Sequence, residues 1–155
     1  MNGYIENLNE ILLKWGEHVA ERIKTNLDTT NTTASGKTKQ SVEVVVGDGE
    51  LTIYGRPFFQ GVETGRGAGK IPYKFTDIIR QWMTDKGIED RFGDKEWEKR
   101  NASYMIAQKI KNEGSRLYRN GGRDDIYTNV LDEELPELEK QISYSIQQSL
   151  LRNIH

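Results

Sequence analysis

Only two stretches of this chain read as β-strands, and they lie side by side. Ser41–Val46 alternates loosely and ends in three valines, while Leu51–Tyr54 is rich in β-branched and aromatic residues. Gly47-Asp48-Gly49-Glu50 between them reads as a four-residue turn, so the pair is expected to form an antiparallel hairpin. A lone hairpin is marginal in water. Helices must therefore cover one of its faces, and any further strand pairing has to come from Phe58–Glu63 or from another subunit. The expected fold class is α+β: a small antiparallel β-sheet built on a hairpin, packed against a long N-terminal helix and several C-terminal helices.

The helical segments announce themselves by spacing. Tyr4, Leu8, Ile11, Leu12, Trp15, Val19, Ile23 and Leu27 recur at three- and four-residue steps, which predicts an amphipathic helix over 4–27 whose stripe faces the core. The polar run DTTNTTASGKTKQ that follows has no periodicity and reads as a loop. Pro72, then Thr76 or Asp77, signal a second helix with Ile78, Ile79, Trp82 and Met83 as its buried face and Lys86-Gly87 as its stop. In the charged stretch Glu89–Arg100, Phe92 and Trp97 are the expected packing points. A third helix over about 102–118 aligns Ala102, Ile106, Ile110 and Leu117 and breaks at Asn120-Gly121-Gly122. The last helical region carries Ile126, Val130, Leu135, Leu138, Ile142, Ile146 and Leu150. Within it, Pro136 reads either as a kink or as the first turn of a separate helix.

With 155 residues, no repeat and no long linker, the chain is expected to be a single domain over 1–155. An apolar share of 35% against 30% charged residues implies a thin core with much wetted surface, or surface reserved for neighbouring subunits. Without cysteine, neither a disulfide framework nor a thiolate metal site can form. No apolar run approaches a membrane span and the N-terminus lacks a signal-peptide pattern, so no membrane partner is expected and synthesis is placed in the cytoplasm.

Between the hairpin and the second helix lies YGRPFFQGVETGRGAGKIPY, residues 54–73, with five of the chain's 15 glycines. Glycine at that density implies backbone freedom, and Phe58 and Phe59 are too apolar for a mere spacer. The segment at about 55–73 reads as an extended loop, an arm that presents Arg56, Phe58, Phe59, Glu63, Arg66 and Lys70 to a partner. Arg56, Arg66, Lys70 and Lys74 interleaved with Tyr54, Phe58, Phe59 and Tyr73 also suit an alternative, a small nucleic-acid-binding or regulatory protein that uses this arm, the cations on phosphates and the rings on bases. The competing reading is that the aromatics are the arm's own anchors while the charges are solvated, and a net charge of −2 gives no global pull toward nucleic acid.

Sites for catalysis or cofactors find little support. Gly65-Arg66-Gly67-Ala68-Gly69-Lys70 fails as a phosphate loop, because Thr64 stands where the first glycine belongs and Ile71 where Ser or Thr should hold magnesium. His18 and His155 are the only histidines, and Glu17, His18 and Glu21 read as a solvated helical face. The acidic group at Asp132, Glu133, Glu134 and Glu137 lacks the glycine-turned calcium-loop pattern. No catalytic residue, cofactor or metal ligand is assigned, and the chain is expected not to be an enzyme.

Charge is unevenly spread. Lys109–Arg123 holds five basic residues against Glu113 alone, and Asp124–Glu139 holds seven acidic residues and no basic one. Such blocks can pair within the fold or between identical copies, or stand as two solvated faces. Arg116, Arg119, Arg123, Asp132, Glu133 and Glu134 are the candidates for a contact between copies.

The order of these elements resembles the tail-completion and head–tail joining proteins of long-tailed phages. Four places carry the resemblance: the N-terminal helix followed by the polar loop with Ser35-Gly36; the hairpin running into Phe59-Gln60-Gly61-Val62-Glu63-Thr64-Gly65; Ile71-Pro72 through Ile79, Trp82 and Lys86-Gly87-Ile88; and Ile106-Ala107 through Ile110 and Glu113-Gly114. They span about residues 5 to 150. The charged insert Glu89–Arg100 and the acidic start of the last helix are less typical of that pattern. The resemblance implies a non-enzymatic virion protein made in the host cytoplasm, a ring homo-oligomer that contacts other phage neck or tail proteins through the arm. It also implies possible non-specific contact with DNA in the channel.

Overall fold

A computed structural model describes residues 2–154; His155 lies outside them. The fold is α+β, as expected: a two-stranded antiparallel sheet, a long N-terminal helix and several later helices. Contacts group the chain into two compact units, 1–30 with 39–57 and 124–155, and 31–38 with 58–123.

In the first unit, helix α1 (Asn2–Thr29) is the common partner of the hairpin and of the last helix. Its stripe behaves as the spacing predicts: Leu12, Trp15, Val19, Ile23 and Leu27 are buried, together with Ala20. A single helical turn, α2 (Lys37–Gln40), straddles the division between the units; beyond it, in the first unit, strands β1 (Glu43–Gly47) and β2 (Glu50–Tyr54) pair in the register Val44↔Ile53 and Val46↔Leu51. Because Gly47 pairs with Glu50, the turn is Asp48-Gly49 alone, two residues rather than the expected four. Both have positive φ (53° and 78°), as a tight hairpin turn matching the strand twist requires. Its tip is fastened to α1 by the Gly49 N–H, which donates to Asn9 Oδ1 at 2.8 Å. Midway along α1, Gly16 lets the sheet approach: a Cβ there would lie 2.8 Å from both Leu51 Cδ1 and Val44 Cγ1.

The last helix of this unit, numbered α7 in chain order, is continuous over Thr128–Asn153 with Pro136 inside it, so the proline opens no separate helix. It runs antiparallel to α1. Asn7 donates to Ser145 Oγ (2.6 Å), Trp15 Nε1 to the Glu134 carbonyl (2.9 Å) and Asn26 to the Ile126 carbonyl (2.9 Å). Ile126, Val130 and Leu138 close the core from this side.

In the second unit, Phe58–Glu63 forms no strand. Residues 61–64 make one helical turn, α3 (Gly61–Thr64). Helix α4 (Phe75–Asp85) buries Phe75, Ile79 and Met83, whereas Ile78 and Trp82 of the expected buried face stay half exposed. Its end is the predicted one: the Gly87 N–H bonds to Thr84 O and the Ile88 N–H to Met83 O, both at about 3 Å. A short 3₁₀ turn (Glu89–Phe92) leads to α5 (Glu96–Glu113), whose start is closed by Glu98 accepting from the Lys95 N–H at 3.0 Å. Ala107 joins Phe75, Ile79 and Met83 in the core, with Ile71, Ile88, Ala102, Ile106 and Ile110 around them. Trp97 is not a packing point, being 63% exposed. What holds the charged insert is Arg80, which bonds Glu89 at 2.6 Å, Glu96 at 3.0 Å and Thr84 at 2.8 Å, with Lys99 on Asp90 at 3.0 Å beside it. Gly114 breaks α5, and the turn α6 (Arg116–Arg119) follows.

Candidate partner-binding surface

The glycine-rich segment is folded back on its own unit. Ser115 holds it from both sides: its N–H donates to the Arg66 carbonyl at 2.7 Å, and its Oγ accepts from the Arg66 N–H at 3.0 Å. Farther on, the Gly69 N–H donates to the Lys111 carbonyl at 2.8 Å, and before it the Arg123 N–H donates to the Glu63 carbonyl at 2.8 Å. Gly65 in the segment, and Gly114 and Gly122 packed against it, serve close approach, whereas Gly61 and Gly69 have open space where a Cβ would stand. At Gly65 (φ 72°) a Cβ would overlap the Tyr118 backbone nitrogen and lie 2.6 Å from Ser115 Oγ. Gly114 (φ 85°) would meet the Arg66 carbonyl at 2.9 Å, and Gly122 (φ 80°) the Glu63 carbonyl at 2.8 Å. The extended loop expected over 55–73 is thus replaced by a pinned one.

The residues assigned to the arm part company accordingly. Phe58 is 95% exposed and holds φ 64°, a left-handed conformation that a bulky side chain rarely adopts. Phe59 is half-buried, and Glu63 is buried at 3%, so its carboxylate does not face a partner as expected. Arg66 is spent locally: its guanidinium sits 5.3 Å from the centre of the Phe75 ring and donates to the Lys70 carbonyl at 2.9 Å. Lys70 is exposed, and Arg56 belongs to the first unit, where its N–H bonds to Ser41 Oγ at 2.9 Å. Tyr73, expected among the rings that suit a nucleic acid but not in the partner-binding set, is 88% exposed with Lys74 Nζ 5.6 Å from its ring centre. Lys74 itself has φ 57° at the start of α4. Cations that would track a phosphate backbone are thus partly engaged with the chain's own rings.

Beside the pinned segment lies a groove of about 510 Å³ between α4, α5 and α6. Phe75, Ile79, Trp82, Ile106, Ile110 and Leu117 make its apolar surface; Arg66, Lys109, Arg116 and Arg119 bring positive charge, and no carboxylate lines it. Trp82, on the face that spacing predicts to be buried, instead walls this groove.

The acidic candidates for a contact between copies are divided. Glu134 takes Arg22 at 2.7 Å and His18 at 2.9 Å, and Glu133 takes Arg22 at 2.6 Å, so both are engaged by α1 of the same chain. The Arg22 hydrogen bond, helped by His18, holds the Glu134 carboxyl below the usual carboxylate range, and Glu133 and Glu134 together raise Arg22. Asp132 is exposed. Among the basic candidates Arg116 is exposed, Arg119 bonds Glu113 at 3.3 Å, and Arg123 is tied through its backbone to Glu63. Among the described residues no group of three His, Cys, Asp or Glu side chains is placed to hold a metal ion, and no helix is long and apolar enough to cross a membrane. Comparison with family models, curated proteins and solved structures returns no match for this chain.

Proposed function

We propose that this protein is a non-enzymatic structural component of a virion, a tail-completion or head–tail joining protein that forms a ring and grips a neighbouring ring through Phe58 and Tyr73. The observation that carries this reading is the exposure of those two rings, 95% and 88%, at either end of a segment otherwise pinned by backbone hydrogen bonds. Burying an aromatic ring of this size is worth about 1.5–3 kcal/mol. Neither ring returns that to the isolated chain, and Phe58 also bears the cost of its left-handed backbone. Strain kept at an exposed apolar side chain supports the reading of a contact made elsewhere. The order of motifs along the chain, which resembles that of neck and tail proteins, supplies the kind of partner: another component of the particle.

The test is to replace Phe58 and Tyr73 by serine together and image the particles made from a genome carrying the change. Heads and tails should accumulate unjoined while the purified variant keeps its helical content. Normally joined particles would remove these rings from the mechanism.

A further inference from the structure

Chemistry matched to the groove is found on α7. Asp132, Leu135, Pro136 and Glu139 stand at i, i+3, i+4 and i+7, which places them on one face of that helix, and all four are exposed. Glu133 and Glu134 are turned to Arg22, so the acids of this face are Asp132 and Glu139. Pro136 has no N–H to offer the Asp132 carbonyl, which leaves an additional acceptor at the same place. The groove has the inverse pattern: Ile79, Trp82 and Ile110 inside, with Lys109, Arg116 and Arg119 around them and no acid.

We propose that the groove of one copy receives the Asp132–Glu139 face of α7 from a second copy. Leu135 enters the apolar floor, and the two carboxylates meet Arg116, Arg119 and Lys109. This rests on the assembly reading above and names the surface through which like copies meet. Each copy offers one groove and one helix face, so the contact can repeat from copy to copy, and sedimentation distinguishes a reciprocal pair from a larger ring or filament. Arginine suits the role, because its planar fork takes a carboxylate and a neighbouring carbonyl together.

Sedimentation of the full chain from micromolar to millimolar concentration, at low and high salt, tests the contact. The wild type should self-associate, and salt should weaken it. Replacing Arg116 and Arg119 by Glu, or separately Asp132 and Glu139 by Lys, should weaken association by at least about tenfold, through like charges facing each other. All four side chains are exposed, so both variants should keep the wild-type circular dichroism. Mixing the two variants should restore association between them, since each then carries the charge the other needs. The proposal is overturned by a wild type that stays monomeric throughout, by variants that associate like the wild type, or by a mixture that stays apart. A monomeric wild type whose groove binds an acidic amphipathic helix from another protein would likewise replace the second copy as occupant. None of these results touches Phe58 or Tyr73, so failure here leaves the joining role standing. Failure of the imaging test, in turn, leaves this contact standing.

Discussion

Two left-handed residues, Phe58 and Lys74, bracket the pinned segment, and neither is a type that tolerates the conformation, as Asn31 and Asp48 do. Phe58→Gly should therefore raise stability by about 1 kcal/mol through relief of backbone strain, measured by urea denaturation, while the same variant joins particles poorly. A gain in stability with unimpaired joining would mean that the strain has no role. Gly65→Ala should do the reverse and destabilise by about 2 kcal/mol or more, combining an unfavourable φ with overlap on Tyr118. The density of glycine was legible in the sequence; its meaning was not. A residue without a side chain permits both looseness and close approach, and at Gly65 it is the neighbouring Tyr118 backbone that decides for close approach, while Gly61 and Gly69 meet no such neighbour.

At the level of elements, spacing read α1 correctly because one stripe of apolar residues dominates it. It misread α4 because two stripes compete there, Phe75-Ile79-Met83 and Ile78-Trp82, and nothing in the order of residues chooses between them. Packing against Ala107 of α5 does. The hairpin was legible from its two strands and the Gly47-Asp48-Gly49-Glu50 stretch, although the turn itself is the tighter pair Asp48-Gly49. The groove was not legible, since its lining comes from four separate stretches brought together by α4, α5 and α6. Leu135 between Asp132 and Glu139 was the available signal on the other side, masked by the more conspicuous Glu133-Glu134. Gly16, in the middle of α1, carries a prediction. Its replacement by valine should cost about 1–3 kcal/mol, because Val44 and Leu51 already occupy the space, even though helix propensity alone favours almost any residue over glycine. A thermal or urea transition at or above the wild-type midpoint would show that the sheet can retreat from the helix.

For the whole molecule, acid is the condition that reaches both units. Arg80 holds Glu89 and Glu96 below the usual carboxylate range in one, and Arg22 holds Glu134 there in the other. A depressed carboxyl binds its proton less readily folded than unfolded. Its contribution is thus present in full above about pH 5 and is lost as pH falls through the ordinary carboxylate value toward the depressed one. Urea midpoints measured from pH 7 down to pH 3 should fall, and Glu134→Gln should lower the midpoint at pH 7 while flattening part of that decline. A Glu134→Gln profile parallel to the wild type would show that the Arg22 bond does not couple to folding.

Because Ser115 clasps Arg66 from both sides, the backbone between Phe58 and Tyr73 is held in place without any partner. Recognition there should resemble a gauge meeting its slot: little chain entropy to surrender, and amide hydrogens over residues 61–70 exchanging at nearly the same rate with and without the partner.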